Sequence, residues 1–152
     1  MGNGLVRACL SQDGNQVVVM DSLDPSLRSD KGNLNEVMEQ IEFVEGDIQD
    51  VPLLRDLVKG QDIVYNCAAQ TSHTKSLADP ILDAEINCVG NLHVLEAVRH
   101  ENPNAVVAYP STSTVIGRAM TEEIDENHLE RPMEIYSAHK SVAEKHYQIY
   151  AQ

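Results

Sequence analysis

A tyrosine and a lysine four residues apart near the end of the chain have the residue types and spacing for proton transfer. Tyr136 and Lys140 share one face of the helix that the pattern of residues 136–150 predicts. A phenol loses its proton at about pH 10, so it is a weak base at neutral pH unless a neighbouring cation stabilises the phenolate. Lys140 is placed to supply that charge. A Ser or Thr hydroxyl of Ser111-Thr112-Ser113, which follows a predicted strand, could hold a substrate oxygen while Tyr136 moves the proton. The same spacing also arises by chance on ordinary helices, so the pair needs support from its context.

Short apolar runs alternate with longer segments of helical periodicity, and this alternation predicts the elements that position these side chains. Pro52 and Pro80 each stand just before a helical segment, where proline is favoured. Continuous apolar strands between helices indicate an α/β fold with a parallel sheet covered on both faces, because a parallel pair needs a crossover connection. The predicted strands are residues 16–21, 41–44, 62–67 and 105–109, and the predicted helices are residues 5–12, 53–59, 81–100 and 136–150.

The loops that follow the predicted strands are expected to hold the functional site. Irregular stretches cover residues 22–33, 70–79 and 112–135, and each begins after a strand. In open α/β sheets the loops at the carboxyl ends of the strands build the ligand crevice. His73 lies in the second of these loops, either beside a ligand or as an ordinary surface residue.

The charge of the chain limits its partners. Eleven Lys and Arg against 24 Asp and Glu give a formal net charge of −13 over 152 residues, with 42% hydrophobic residues. A surface this acidic repels phosphate backbones and anionic lipid headgroups. The charge therefore predicts that the protein binds neither nucleic acid nor a membrane surface. No internal repeat and no linker divides the chain, so residues 1–152 are expected to form a single domain.

The cysteines indicate a reducing compartment. Cys9, Cys67 and Cys88 are odd in number and lack the spacing of a zinc site, so we expect reduced thiols and no metal centre. No basic-then-apolar signal pattern opens the chain, and no apolar stretch is long enough to span a bilayer. The sequence therefore predicts a cytoplasmic protein.

Several motifs in a fixed order carry a resemblance to a known family. Asp21 ends the first predicted strand, Gly46-Asp47-Ile48 ends the second, and Ala68-Ala69-Gln70 ends the third. The helical stretch 83–99, which begins Asp-Ala-Glu-Ile-Asn, then precedes the Tyr-x-x-x-Lys pair. Together these motifs resemble the extended short-chain dehydrogenase/reductase family, the NAD-dependent sugar-nucleotide epimerases and dehydratases. The resemblance implies a three-layer Rossmann-like sheet, NAD as cofactor and a nucleotide sugar as substrate.

The resemblance also implies a role for each matching residue. Thr112 falls at the catalytic Ser/Thr position, Tyr136 is the acid/base, and Lys140 binds the nicotinamide ribose and lowers the tyrosine pKa. Asp21 corresponds to the acidic residue that binds the adenosine ribose hydroxyls, which favours NAD over NADP because a 2′-phosphate would meet a like charge. The other cofactor-binding positions that it implies are Gly2, Asp47, Ile48, Ala68, Ala69, Gln70 and Asn87.

Departures from the family pattern narrow these expectations. Dehydratases carry an Asp-Glu pair directly after the catalytic threonine, where this chain has Ser113-Thr114, so an epimerase is favoured. Gly2 matches the last glycine of the phosphate-binding turn, and the chain ends at Gln152, before the expected sugar-nucleotide domain. We therefore expect a core truncated at both ends, with about four strands, no usual first strand and no substrate domain.

A sheet that lacks its first strand has two expected ways to protect its edges. Direct pairing of strands 16–21 and 62–67 gives the spatial order 2-1-3-4, a flavodoxin-like arrangement. Dimerisation through helices 81–100 and 136–150, the usual dimer faces of the family, buries surface instead. We expect a homodimer.

Three functions fit the sequence. The first is an NAD-dependent epimerase-type oxidoreductase, in which Tyr136 and Thr112 assist hydride transfer between a sugar carbinol and NAD. The second is a non-catalytic nucleotide-binding or structural remnant that retains the motifs by descent. The third is metal-assisted hydrolysis by groups at the strand ends, although no ligand spacing supports it. The groups concerned in the third are Asp21, Asp47, His73 and His139.

Overall fold

The computed structural model describes residues 1–25 and 30–152 and confirms the predicted α/β architecture. Four short strands alternate with helices along the chain. Residues 31–40 and 113–116 form 3-10 segments, and a π-helical turn, Glu85–Val89, joins two of the helices. The elements are α1 (Gly2–Leu10), β1 (Val17–Asp21), β2 (Ile41–Glu45), α2 (Val51–Leu57), β3 (Ile63–Tyr65), α3 (His73–Ala78), α4 (Pro80–Ala84), α5 (Gly90–Glu101), β4 (Val106–Ala108) and α6 (Ile135–Tyr150).

The strands form two separate parallel pairs. In one pair Val17 of β1 lies opposite Ile41 of β2, and in the other Ile63 of β3 lies opposite Val106 of β4. The 2-1-3-4 rearrangement is therefore wrong for the described residues, since β1 and β3 are not neighbours in one sheet.

Both strand pairs pack on the same helices, so each pair is held in place although, among the described residues, no hydrogen bonds join one pair to the other. Met20 of β1, Val64 of β3 and Val107 of β4 all pack on one buried cluster. In addition, α1 packs on β1, and a Cβ on Gly2 would lie 3.9 Å from the Cβ of Cys67, just after β3. The core and α1 thus hold the two pairs in place without a ladder between them.

The hydrophobic core lies between the sheet and the helices α2 and α5. Each aliphatic side chain that is fully buried there contributes about 1.5 to 3 kcal/mol. Gly90 at the start of α5 lets that helix come close to the end of β2, because a Cβ on it would lie 2.4 Å from Cδ1 of Ile48. The buried cluster consists of Ile48, Leu54, Val58, Val94, Ala97 and Val98.

Helix starts follow local capping rules. Asp50 and Asp79 accept hydrogen bonds from the backbone N–H groups of Leu53 and Leu82, so α2 and α4 begin where an acidic cap precedes a proline. The helix expected over residues 81–100 is present as α4, the π-helical turn and α5.

All three stretches expected to be irregular contain helical turns, and in the stretch 112–135 this is the 3-10 segment Ser113–Ile116. The loop 70–79 contains α3, which Ser72 caps at Lys75 N. The 3-10 segment over residues 31–40 begins inside the stretch 22–33, of which residues 26–29 lie outside the described part of the chain. In the described residues, no helix has both the length and the apolar character needed to span a bilayer.

Candidate active site

Tyr136 sits in the first turn of α6, where the chain arrives from the loop after β4. Its side chain is buried, with 8% of the residue exposed. The neighbouring Ser137 lies with its Oγ 2.7 Å from Thr114 Oγ1 and donates a hydrogen bond to the Glu134 carboxylate at 2.8 Å. Thr114 Oγ1 in turn lies 3.0 Å from Oγ1 of Thr112. A row of hydroxyl groups therefore links Thr112 to the start of the helix that carries Tyr136.

Gly117 allows a tight turn in the loop between Thr112 and Tyr136. Gly117 has φ +65°, and a Cβ on it would lie 2.0 Å from the carbonyl oxygen of Arg131. Arg131 N donates to Val115 O at 2.9 Å, which ties the end of the loop to the 3-10 segment. Only glycine permits both the positive φ at residue 117 and the close approach of Arg131 O. This turn lets the loop run back so that the start of α6 lies beside Thr112.

The end of β3 is held by a buried asparagine. Asn87, in the π-helical turn, accepts from Gln70 N at 3.2 Å and donates to Gln70 O at 2.9 Å. Asn87 is fully buried, so it shapes the backbone after β3 instead of facing a ligand directly. Ala68 and Ala69, which precede Gln70, remain half-buried at this edge.

A buried carboxylate–imidazole pair lies between α4 and α6. Asp83 Oδ2 is 2.6 Å from His139 Nδ1, and Gln70 Nε2 donates to Asp83 Oδ1 at 2.8 Å. The Asp83 side chain has no exposed surface, and the two partners satisfy a carboxylate that would otherwise be costly to bury. Sequence reasoning missed Asp83. The available signal was an acidic residue four positions before Asn87, on the same helical face.

A second carboxylate–imidazole pair contacts Tyr136 itself. His73 Nδ1 lies against the carboxylate of Glu134, the residue that precedes α6. The imidazole packs against the Tyr136 ring with centroids 5.0 Å apart and planes inclined at 59°. Half of the His73 side chain is exposed, whereas Tyr136 is buried. Glu134 was also missed by sequence reasoning, because the pairing joins two loops distant in sequence.

Lys140 shares the helix of Tyr136, but its ammonium group is engaged elsewhere. Lys140 Nζ donates to the carbonyl of Pro110 at 2.9 Å and lies 3.9 Å from the centroid of the Tyr109 ring. Burial lowers the pKa of Lys140 to about 8. Burial raises the pKa of Tyr136, and the charges of Asp83 and Glu134 raise it further.

The residues expected at the adenosine side lie at the ends of β1 and β2. Asp21 Oδ1 accepts from Leu23 N at 2.8 Å, and Asp47 Oδ1 accepts from Gln49 N at 2.9 Å. Asp47 is exposed, whereas Ile48 belongs to the core. Within the described residues, no group of three His, Cys, Asp or Glu side chains could hold a metal ion.

Similarity to known proteins identifies the family. The model of the NAD dependent epimerase/dehydratase family matches residues 1–152. The putative UDP-glucose 4-epimerase of Methanocaldococcus jannaschii is 30% identical over 142 residues, which are 93% of this chain and 45% of that protein. The chain belongs to the NAD-dependent epimerase/dehydratase family.

Other members of the epimerase/dehydratase family agree in sequence and fold. The UDP-glucose 4-epimerase of Mycolicibacterium smegmatis is 32% identical over 151 residues, 99% of this chain and 48% of that protein. The crystal structure of the dTDP-glucose 4,6-dehydratase of Streptomyces venezuelae, with NAD and TYD bound, superposes with a TM-score of 0.87 at 26% identity. That superposition covers 98% of this chain and 48% of the dehydratase. The chain thus spans about half the length of the relatives it matches.

The first turn of α1 offers a point of fit for the NAD of this epimerase/dehydratase family. Met1, which precedes the helix, supplies no side-chain cap. Leu5 N donates to Met1 O, and among the described residues the N–H groups of Gly2, Asn3 and Gly4 have no acceptor. Gly2 and Gly4 lie in this turn, and a Cβ on Gly4 would meet nothing within 4 Å. Such donors at a helix N-terminus suit a pyrophosphate.

Proposed function

We propose that this chain carries the NAD-binding and proton-transfer residues of a sugar-nucleotide epimerase-type oxidoreductase. The observation that carries the proposal is the row of hydroxyl groups that connects Thr112, through Thr114 and Ser137, to the first turn of the Tyr136 helix. It supports a site in which a sugar hydroxyl is held by Thr112 while Tyr136 exchanges its proton.

The residues for the cofactor lie at the carboxyl ends of the strands. The first-turn amides of α1, beginning at Gly2, would hold the pyrophosphate, and Asp21 would accept from the adenosine ribose hydroxyls. When bound, NAD supplies the hydride acceptor for the oxidation of a sugar carbinol. The other residues proposed to line it are Asp47, Ile48, Ala68, Ala69, Gln70, Tyr136 and Lys140, with Asn87 holding the backbone behind Gln70.

Burial, together with the charges of Asp83 and Glu134, raises the pKa of Tyr136 and favours its protonated form. A phenol whose pKa lies above the usual value is protonated at neutral pH. Tyr136 is therefore ready to donate to the oxygen of a ketone. To accept a proton from a carbinol it must first pass its own proton on.

Titration calorimetry with NAD tests the cofactor part of the proposal. The wild-type chain is expected to bind NAD saturably, on the order of micromolar affinity. Asp21→Ala is expected to weaken binding about tenfold or more, because the ribose hydroxyls lose a charged acceptor. Asp13→Ala removes an exposed carboxylate beyond α1 and serves as the matched control. Absence of heat up to millimolar NAD overturns the proposal.

An activity assay tests the chemical part. Because two relatives carry the name UDP-glucose 4-epimerase, UDP-glucose is the first nucleotide sugar to offer. Tyr136→Phe is expected to abolish interconversion while NAD binding stays within a few-fold, since the phenyl ring keeps the packing. Turnover that survives in Tyr136→Phe contradicts the role of the phenol.

We also propose that the chain forms a homodimer and works in the cytoplasm. Val142 and Ile149 of α6 leave 42% and 63% of their surfaces exposed, which favours a partner helix on that side. All three cysteines are unpaired, as in a reducing compartment. Light scattering after size exclusion tests the dimer, and a monomer at micromolar concentration overturns it.

A non-catalytic nucleotide-binding protein is the second candidate. It is favoured by the position of Lys140, whose ammonium lies over the Tyr109 ring and donates to the carbonyl of Pro110. NAD binding without conversion of any nucleotide sugar distinguishes it from the oxidoreductase. Metal-assisted hydrolysis is not proposed, because the imidazoles of His73 and His139 each pair with a carboxylate and the described residues hold no metal-binding group.

A further inference from the structure

A buried carboxylate lies between the two segments that the proposed reaction must bring together. Asp83 Oδ1 accepts from Gln70 Nε2 at 2.8 Å, and Asp83 Oδ2 lies 2.6 Å from His139 Nδ1. Gln70 belongs to the segment after β3 that is proposed to line NAD, whereas His139 lies on α6, three residues after Tyr136. The Asp83 side chain has no exposed surface. One carboxylate from α4 thus joins the cofactor side of the site to the proton-transfer side.

The side chain of Gln70 is held in one orientation. Its Nε2 also donates to Ser72 O at 2.9 Å, and its Oε1 accepts from Ser72 N. The backbone of Gln70 bonds to Asn87 through both its N–H and its carbonyl. An amide that meets a carbonyl and an N–H group of one residue loses both bonds if its two ends are exchanged. The nitrogen of Gln70 therefore faces Asp83, and the carboxylate restrains this loop from the side of α4.

The other oxygen of Asp83 restrains α6. His139 leaves 20% of its side chain exposed, and it lies on the same side of the helix as Tyr136 because residues three apart are neighbours there. The charge of Asp83 also reaches the phenol, since it raises the pKa of Tyr136. An apolar pair would fill the same space at a lower cost of desolvation. The carboxylate adds orientation, because a hydrogen bond constrains an angle as well as a distance.

We propose that Asp83 is a positioning residue, which holds the backbone of residues 70–72 and the face of α6 that carries Tyr136 at a fixed separation. A sugar hydroxyl at Tyr136 then keeps its placement relative to the segment proposed to line NAD. Such placement matters because a shift of about 1 Å can lower a rate by about 100-fold. Asp83 acts through Gln70 and His139, and the inference rests on the proposed function, which assigns these two segments to NAD and to proton transfer.

The kinetics of His139 variants with NAD and UDP-glucose test the inference. His139→Leu keeps a similar volume but removes the partner of Asp83, so kcat is expected to fall by about 10- to 100-fold while KM and the affinity for NAD stay within a few-fold. In His139→Asn the amide nitrogen can take the place of Nδ1 and donate to Asp83. This variant is expected to recover kcat to within a few-fold of the wild type. Equal losses of kcat in both variants overturn the inference.

Asp83→Asn gives a second readout, which needs no turnover and leaves no charge buried without a partner. Because Gln70 presents its nitrogen, the new amide must turn its oxygen to Gln70 and its nitrogen to His139, so that Nδ1 accepts a hydrogen bond. Nitrogen NMR is expected to find neutral His139 in the Nδ1–H tautomer in the wild type and in the Nε2–H tautomer in Asp83→Asn. An Nε2–H tautomer in the wild type overturns the inference, because His139 would then donate nothing to Asp83.

His100→Leu is the matched control, because His100 also pairs with a carboxylate, that of Glu96, but on the exposed side of α5. It is expected to leave kcat and KM unchanged. Urea unfolding of each variant gives the folded fraction, so that kcat is expressed per folded molecule. If His139→Leu is only less stable and has the wild-type kcat, Asp83 has a structural role alone and the inference is overturned. A wild-type chain that converts no nucleotide sugar contradicts the proposed function itself, so the two failures are distinguishable.

Discussion

Lys140 lies with its Nζ 3.9 Å from the centroid of the Tyr109 ring, in a cation–π contact at the end of β4. The same ammonium donates to the carbonyl of Pro110, so the charge is compensated although the residue is only 3% exposed. The Tyr109 ring in turn stacks on the ring of Tyr147, with centroids 4.6 Å apart.

The stability of the fold is expected to rise with pH because of Lys140. Burial lowers its pKa from 10.5 to about 8 in the folded chain. Between these values the unfolded chain binds the proton and the folded chain does not, so raising the pH stabilises the fold. Lys140→Met is expected to remove this pH slope, which is the dependence of the free energy of unfolding on pH. It is also expected to stabilise the chain at neutral pH by about 2 kcal/mol. Urea unfolding between about pH 8 and pH 10 measures the effect.

Lys145 provides the control for that experiment. It lies on the same helix, pairs with Glu130 and leaves 49% of its side chain exposed. Lys145→Met is expected to leave the pH slope as in the wild type. Equal slopes in wild type and Lys140→Met contradict the burial argument.

Removal of the Asp83 carboxylate is expected to destabilise the fold. Asp83→Ala removes the acceptor of His139 Nδ1 and one of the two acceptors of Gln70 Nε2, which also donates to Ser72 O, in a buried setting. A loss of about 2 to 3 kcal/mol follows from stranded buried polar groups, with a smaller loss for Asp83→Asn. Urea unfolding of both variants measures it, with the exposed Asp13→Ala as a reference near zero. A change of less than about 0.5 kcal/mol in Asp83→Ala contradicts the pairing.

Gly117 is expected to tolerate no side chain. Gly117→Ala combines a left-handed backbone with a Cβ placed 2.0 Å from Arg131 O, so a loss of about 3 kcal/mol is expected. Gly60 has a similar φ of +72° with nothing within 4 Å of its Cβ, and Gly60→Ala is expected to lose only about 1 kcal/mol. The difference between the two variants isolates the close approach. Equal losses mean that the contact with Arg131 has no energetic weight.

Cys88 is expected to react slowly with alkylating reagents. Burial raises the pKa of its thiol to about 11 from 9.0. At about pH 8 the thiolate fraction is then lower by about 100-fold than in the unfolded chain. Mass spectrometry of iodoacetamide-treated protein, with and without urea, measures the ratio for this one residue. Alkylation at similar rates in both states contradicts the effect of burial.

The elements could be predicted because their signals are local. The run Val17-Val18-Val19 predicts a strand, and Pro80 after a capping Asp79 predicts a helix start, with no knowledge of the rest of the chain. The strands predicted over residues 62–67 and 105–109 are only three residues long in the structure, as β3 and β4. The reason is that a residue forms part of a strand only where it pairs with the neighbouring strand. The short helix α3 was missed because its six residues have too little length for periodicity to show.

The site could be predicted only in part. Thr112 and Tyr136 were found from residue type and order, and the structure ties their two segments together through Thr114 and Ser137. Glu134 was not found because its pairing joins segments distant in sequence, and Asp83 was not found although it lies four positions before Asn87 on the same helical face. Their roles depend on the imidazoles that the fold places against them.

The family, the order of strands and helices, and the chemical groups available for proton transfer are all evident from the amino-acid sequence. Those properties reside in local periodicity, in caps and in residue types at short spacing. Which groups meet depends on the folded chain: Lys140 contacts Tyr109, His73 contacts Tyr136, and Asp83 contacts His139, 56 residues away. Such pairs depend on how α3, α4 and α6 pack, because burial and contact between distant segments exist only once the chain has folded.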